Sequence, residues 1–286
     1  MELSIIILSY NTKDLTVDCI RSVAEQYKNE LTKDRFEIIV VDNASSDGSL
    51  ATLRRLRFKG LKVVESKENL GFSKGCNLGA KNASGKYLLF LNSDTLIKDQ
   101  GFLKMISFLE KNENAGILGA KLKNEDGTNQ LSSGKFYSLF NLFLMLFGFN
   151  KFVRESPNVV KKVEWVSGAS MMVKKSIFQK LGGFDKDIFM YLEDMDLCFR
   201  AKEKGFDTYF FPEIMLFHEE GKSSGRTFAI VSIYKSLLIF YKKHKSKFEY
   251  QVAKNMFRLK AMILVVLGKI LDNKYLQTTY SQILEI

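Results

Sequence analysis

Glu193, Asp194 and Asp196 place three carboxylates within four positions of the chain. Such residues can take a proton from a hydroxyl, hold a cation or cap a helix. If the apolar pattern of Leu197, Cys198 and Ala201 marks a helix over 192–204, all three acids fall in its first turn. Unpaired N–H groups and the positive end of the helix dipole favour negative charge there. The plain reading is an N-terminal cap with solvated acids; the chemical one is a general base with supporting carboxylates. Other polar residues upstream sit at strand ends and converge on one cleft, which favours chemistry.

The elements that must position them are legible as apolar runs. Residues 3–8 and 36–41 read as strands buried on both faces. They end in Ser9-Tyr10-Asn11-Thr12 and in Asp42-Asn43. Helices over 14–27 and 50–56 and a strand over 61–65 complete a β/α alternation that predicts a doubly wound, mostly parallel sheet. Ligands bind at the carboxyl ends of such strands, where Ser9, Tyr10, Asn11, Asp42 and Asn43 fall. The segment 69–79 carries Asn69, Gly71, Gly75, Asn77 and Gly79, opening a helix whose backbone N–H groups a ligand could approach. A further strand, 87–91, ends in Asn92-Ser93-Asp94, where a carboxylate could bind a divalent cation bridging two phosphates. Asx turns and helix caps are the plain alternatives for Asp42 and Asp94. No G-x-G-x-x-G or G-x-x-x-x-G-K-[ST] is present, which excludes the usual nicotinamide and P-loop sites.

Farther along, 102–111 reads as a helix and 116–121 as a strand. Residues 136–149 are strongly apolar and too short to span a membrane, so they form a core helix or a surface-seeking element. A strand over 165–173, containing Trp165 and Gly168, leads toward the acidic stretch, and a short strand is expected over 206–211. His218 precedes a Gly/Ser loop with Lys222 and Arg226, cations that could neutralise a diphosphate. The tail reads as two helices, 228–243 and 248–271.

The chain has 286 residues, 46% of them hydrophobic and 26% charged, with two prolines. That suits one large domain or a domain with an appendage. Three cysteines without a C-x-x-C pair, and a start without the marks of a signal peptide, point to a reducing, cytoplasmic setting. The net charge is +11, and the last 60 residues carry ten Lys/Arg against three Asp/Glu. An apolar helix flanked by lysines fits a membrane interface, or another subunit, better than nucleic acid.

Taken together, S-Y-N at 9–11, V-V-D-N-A-S-S-D-G at 40–48, N-L-G-F-S-K-G-C-N-L-G at 69–79, L-N-S-D at 91–94, S-G-A at 167–169, G-G-F-D at 182–185, Y-L-E-D-M-D-L-C-F-R at 191–200 and His218 resemble the family 2 inverting glycosyltransferases of GT-A fold, in their rhamnosyltransferase-like branch. The resemblance spans residues 3–225. It implies a GT-A catalytic domain over 1–226 and a basic helical tail over 227–286. It implies a nucleotide site of Ser9, Tyr10, Asn11, Asp42, Asn43, Asn69, Gly75, Asn77, Asn92 and Ser93, and Mg²⁺ or Mn²⁺ on Asp94 and His218. Lys222 and Arg226 would meet the diphosphate and Asp194 would be the base, with Glu193, Asp196, Trp165 and Gly168 as acceptor-side or supporting residues. Position 92 departs from Asp-x-Asp by carrying Asn. The reaction implied is inverting transfer from dTDP-rhamnose, or alternatively a UDP-sugar, to a glycan, lipid-linked at the inner face of the cell membrane. The chain's partners would be the nucleotide-sugar donor, the acceptor and, through a homo-oligomer, a second copy; a nucleotidyltransferase and a silent nucleotide-binding membrane scaffold are the rival readings.

Overall fold

The computed structural model describes residues 1–219 and 225–286. Strand β1 (Leu3–Ser9), helices α1 (Lys13–Gln26) and α2 (Lys28–Thr32), β2 (Phe36–Asp42), α3 (Ser49–Arg55), β3 (Leu61–Glu65), α4 (Gly71–Lys81) and β4 (Tyr87–Asn92) form the first half. Every residue of β2 is buried, as a continuous apolar run covered by helices on both faces requires. β1 pairs in parallel with β2 on one side and β4 on the other, with Ser9 opposite Asp42 and Leu8 opposite Asn92. One sheet edge therefore gathers the polar ends of all three strands.

The second half comprises β5 (Thr95–Ile97), α5 (Gly101–Lys111), β6 (Ala115–Lys123), β7 (Ser133–Gly134), α6 (Leu139–Leu146), β8 (Arg154–Glu155), β9 (Lys161–Val163), β10 (Trp165–Val166), β11 (Ser170–Lys174), α7 (Lys175–Lys180), α8 (Glu193–Glu203) and β12 (Asp207–His218). The main sheet runs β3-β2-β1-β4-β11-β6-β12-β5, with β9 beside β12. It is mixed: β11 lies antiparallel to both β4 and β6, while β6 and β12 are parallel. The single strand expected over 165–173 is in fact two. β10 joins β7 and β8 in a small sheet, and the chain then turns through Ser167, Gly168 and Ala169 into β11. The strand expected over 206–211 continues to His218, which brings that imidazole to the same edge as Asp94.

The tail holds three helices where two were expected: α9 (Arg226–His244), α10 (Lys247–Ile270) and α11 (Lys274–Leu284). The Asn273 side chain caps α11 by accepting from the Leu276 N–H, and Gly268 leaves the space in which α11 folds back on α10, since a Cβ there would lie 3.0 Å from Leu276. Leu237, Phe240 and Tyr241 of α9 are fully buried, in one apolar cluster with Phe90, Met171 and Phe210 of the main sheet. The stretch 136–149 resolves toward the surface. Only Leu142 and Leu146 of α6 are buried, and Phe140, Phe143, Phe147 and Phe149 are exposed. Among the described residues no helix is long and apolar enough to cross a membrane.

Candidate active site

A cavity of about 400 Å³ opens at the polar sheet edge, lined among others by Tyr10, Thr12, Asn43, Asn69, Asn92, Ser93 and Asp94. That is the size of a small-molecule site. Its floor is a hydrogen-bond net built from strand ends. Asn43 donates to Asn69 Oδ1 at 2.9 Å and accepts from the Leu70 N–H at 3.0 Å, which holds the start of α4 against β2. Asn11 Oδ1 accepts from the Ser46 N–H at 2.8 Å. Asp42 is buried, with Oδ2 accepting from the Ser45 N–H and Oδ1 without a partner among the described residues. A buried carboxylate oxygen left unpaired is costly and suits a ligand donor. Backbone strain gathers here as well: Asn11 (φ 53°), Ala44 (φ 63°) and Gly71 (φ 73°) all sit in the left-handed region. Gly71 is required by space too, because a Cβ would lie 2.4 Å from the Phe189 carbonyl oxygen.

Several expected nucleotide residues are spent elsewhere. Asn77 donates to the Phe184 carbonyl and accepts from its N–H, at 2.8 and 2.9 Å. It fastens the 182–185 loop and is not among the cavity-lining residues. Gly75 packs on Leu8, where a Cβ would lie 2.5 Å from Cδ1, so its role is helix-to-strand contact. Ser9 Oγ pairs with Thr16 Oγ1; Ser93, whose Oγ meets Thr12 Oγ1, stays on the cavity wall. Conversely Phe72, Phe189, Met190 and Phe228 line the cavity although sequence reasoning passed over them. Lone aromatics carry no signal of a site until the fold gathers them.

At the mouth of β4, His218 Nε2 lies 3.3 Å from Asp94 Oδ1. Gln130 Nε2 donates to the His218 carbonyl and to Asn124, so its Oε1 accepts from His218 Nδ1–H at 2.8 Å. With the proton on Nδ1, the neutral form of the ring presents its Nε2 lone pair toward Asp94 Oδ1, a buried oxygen with no hydrogen bond among the described residues. Two facing lone pairs with an orphaned carboxylate oxygen fit a divalent cation, and the Gln130 contact orients the ring as metal-bound histidines need. Among the described residues no group of three or more His, Cys, Asp or Glu could hold a metal ion, so diphosphate oxygens and water would complete the shell. Asn92 Nδ2 stands 3.3 Å from the same His218 Nε2, a contact that a bound cation would displace.

Glu193 and Asp196 are buried and Asp194 is half-buried, against the plain reading of a solvated cap. Asp194 Oδ2 accepts from the Gly168 N–H at 2.8 Å and Oδ1 from the Met195 N–H at 2.7 Å. The next residue, Ala169, accepts through its carbonyl from the Asn92 N–H at 3.0 Å. Two hydrogen bonds therefore link Asp194 to the strand end that carries Asp94. Burial raises the Asp194 pKa, with these N–H contacts and Arg154 pulling the other way. Burial and the neighbouring Asp194 charge hold Glu193 well above the carboxylate range. Burial thus works against charge on both, and the Gly168 and Met195 N–H groups favour ionisation at Asp194 over Glu193. Asp196 is different. Burial works against its charge, yet His244 at 2.7 Å and Arg200 at 2.6 Å hold its pKa low. Both its oxygens are held by cationic or ring N–H partners, which ties α8 to α9 and to Arg200.

Trp165 is buried with its Nε1–H donated to the Lys135 carbonyl at 3.0 Å. Arg226 is exposed, with its guanidinium carbon 5.1 Å from the Tyr275 ring centroid. Lys222, the other cation expected at the diphosphate, lies outside the described residues.

Residues 4–182 match the family described as Glycosyl transferase family 2. Rhamnosyltransferase WbbL of Escherichia coli (strain K12) is 28% identical over 225 residues, 75% of this chain and 82% of that protein. The N-acetylglucosaminyl-diphospho-decaprenol L-rhamnosyltransferase of Mycobacterium tuberculosis is 25% identical over 233 residues, 73% of this chain and 75% of its own length. Among solved structures, the mannosyltransferase PcManGT of Pyrobaculum calidifontis in complex with GDP-Man and Mn2+ superposes with a TM-score of 0.62 at 16% identity, covering 99% of this chain and 84% of that one. With a GT-A-like sheet and a nucleotide-sized cavity at its polar edge, the chain belongs to glycosyl transferase family 2 and is a glycosyltransferase with rhamnosyltransferase relatives.

Proposed function

We propose that this enzyme transfers a sugar, rhamnose from dTDP-rhamnose as first choice, to a hydroxyl of a lipid-linked glycan with inversion at the anomeric carbon. The observation that carries the reading is the two-hydrogen-bond link between Asp194 and the strand end bearing Asp94. In this reading Asp194 is the proton acceptor and Asp94 the carboxylate that would hold the cation. Asp194 takes the acceptor hydroxyl proton as that oxygen attacks the anomeric carbon. The bond to the diphosphate breaks on the opposite face and the nucleoside diphosphate leaves. Asp94 and His218 would hold Mg²⁺ or Mn²⁺, which supplies positive charge to the leaving diphosphate. Asp42 and Asn69 face the nucleotide, and Tyr10 offers a ring for the base.

Two adjoining helices support a membrane setting. The Lys260 ammonium of α10 donates to the Leu146 carbonyl of α6, and both helices expose large apolar side chains, Phe140 and Phe143 on one, followed by Phe147 just past its end, and Ile263, Val266 and Ile270 on the other. With the basic excess of the tail, this fits peripheral contact with an anionic leaflet, which is where a lipid-linked acceptor would be met. A second copy of the chain is the other occupant this surface would suit.

A donor panel tests the reading. Purified protein with dTDP-rhamnose, UDP-glucose, UDP-galactose or UDP-N-acetylglucosamine and Mn²⁺ should release nucleoside diphosphate slowly from one donor. Release from a UDP-sugar alone would move the donor to that class, and the absence of any nucleotide binding would sustain the scaffold reading.

A further inference from the structure

Arg154 is a cation that the fold brings near Asp194; it shares a side-chain hydrogen bond with Tyr137 and keeps its Nε without a partner among the described residues. In the small sheet, Gly134 of β7 stands opposite Trp165 on one side and Arg154 on the other. Cross-strand neighbours on one rung share a face, and Gly134 puts no side chain between them. The guanidinium carbon accordingly stands 5.3 Å from the Trp165 ring centroid, on a ring already locked by its bond to Lys135. The Nε of Arg154 is buried and has no hydrogen-bond partner among the described residues. No carboxylate among them forms an ion pair with it. Asp194, close enough to feel its charge, spends its oxygens on the Gly168 and Met195 N–H groups instead. A buried guanidinium N–H left unpaired is costly, and its planar fork matches phosphate oxygens.

We infer that Arg154 binds a phosphate group carried by the acceptor, near Asp194 and outside the lining of the donor cavity. This rests on the glycosyltransferase reading above and names the chemistry of its second substrate. Phe149 and Phe152, exposed just ahead of β8, give the approach to Arg154 an apolar rim. Two sources share this chemistry: the diphosphate of a prenyl-linked glycan, or the phosphate of a soluble polyol or sugar phosphate.

The test is equilibrium binding to the full-length protein, with farnesyl diphosphate, sn-glycerol 3-phosphate and farnesol as probes. It is run in an Asp94→Ala background with EDTA, so that the donor-side cation site is disabled. Farnesyl diphosphate should bind, at least tenfold more weakly to Arg154→Gln and with partial recovery in Arg154→Lys, while any farnesol binding stays unchanged. Preference for farnesyl diphosphate over glycerol phosphate assigns the lipid source, and equal affinity assigns the bare phosphate. Equal binding of the phosphates to the parent and to Arg154→Gln, or no binding of either, overturns the inference. Arg154→Lys, checked for an unchanged melting temperature, separates loss of the ligand from loss of the fold. Donor-dependent nucleoside diphosphate release by the unmodified chain reads the underlying activity independently, so failure here leaves that reading standing.

Discussion

Asp194 is held between opposing influences. Burial lifts its pKa, while two backbone N–H groups and the Arg154 field favour the anion. A base works only when ionised, so transfer should fall as pH drops through this raised pKa. The acid limb of kcat should therefore lie above the ordinary carboxylate value of about 4, read from a pH–rate profile with a saturating donor. Asp194→Asn keeps the shape, loses the proton acceptor and should lower kcat by about 10²–10⁴-fold with donor affinity little changed. A loss confined to KM would place the base elsewhere. The sequence already singled out Asp194, Asp94 and His218, because strand-end and helix-start acids carry a recognisable pattern. It could not rank Glu193 against Asp196, since that order depends on His244, 48 residues downstream in the chain.

At the scale of elements, α9 acts as a splint on the acidic loop. Ser236 donates to the Met190 carbonyl at 3.0 Å, the Lys243 ammonium bridges Asp185 and Asp187, and His244 reaches Asp196. That loop contains Tyr191 and Leu192, both at φ 66°, a strained entry to α8 that needs holding from outside. His244→Ala should cost about 2 kcal/mol of stability, as expected for a buried hydrogen bond to a charged group, and lower kcat along with it. Chemical denaturation and steady-state rates would check both. The sign of the pH effect follows from Asp196. Its folded-state pKa lies below the unfolded value, so its contribution is present above the unfolded pKa and lost as pH falls through the folded one. The strands were legible as unbroken apolar runs, and α8 was placed within a residue. The splint was not, because Lys243 and His244 read as the basic end of a helix until the fold carries them back to residues 185–196. The break between β10 and β11 was equally hidden: both halves are apolar, and only their different partners reveal it.

Over the whole molecule, the donor cavity, the acidic helix and the tail are one packed body, since the buried face of α9 belongs to the same apolar cluster as the main sheet. The exposed faces of α6 and α10 remain as its unpartnered apolar surface. Phe147→Glu with Val266→Glu should reduce sedimentation with vesicles of anionic lipid several-fold while leaving the melting temperature unchanged, because both side chains are about half exposed. Undiminished sedimentation would remove the membrane assignment, and a shift from dimer to monomer in the variant would give the surface to a second copy. The basic tail was legible from charge alone. The part played by α6 was not, because an apolar stretch reads the same whether it points inward or outward.

The most direct measurement of the central claim is nucleoside diphosphate release from the donor panel by three proteins side by side: the unmodified chain, Asp94→Ala and Asp194→Asn. The account predicts release from one donor that EDTA and Asp94→Ala abolish, with Asp194→Asn still binding that donor but failing to transfer its sugar to an added acceptor. Release that survives both EDTA and Asp94→Ala would contradict the cation site, and full transfer by Asp194→Asn would contradict the base.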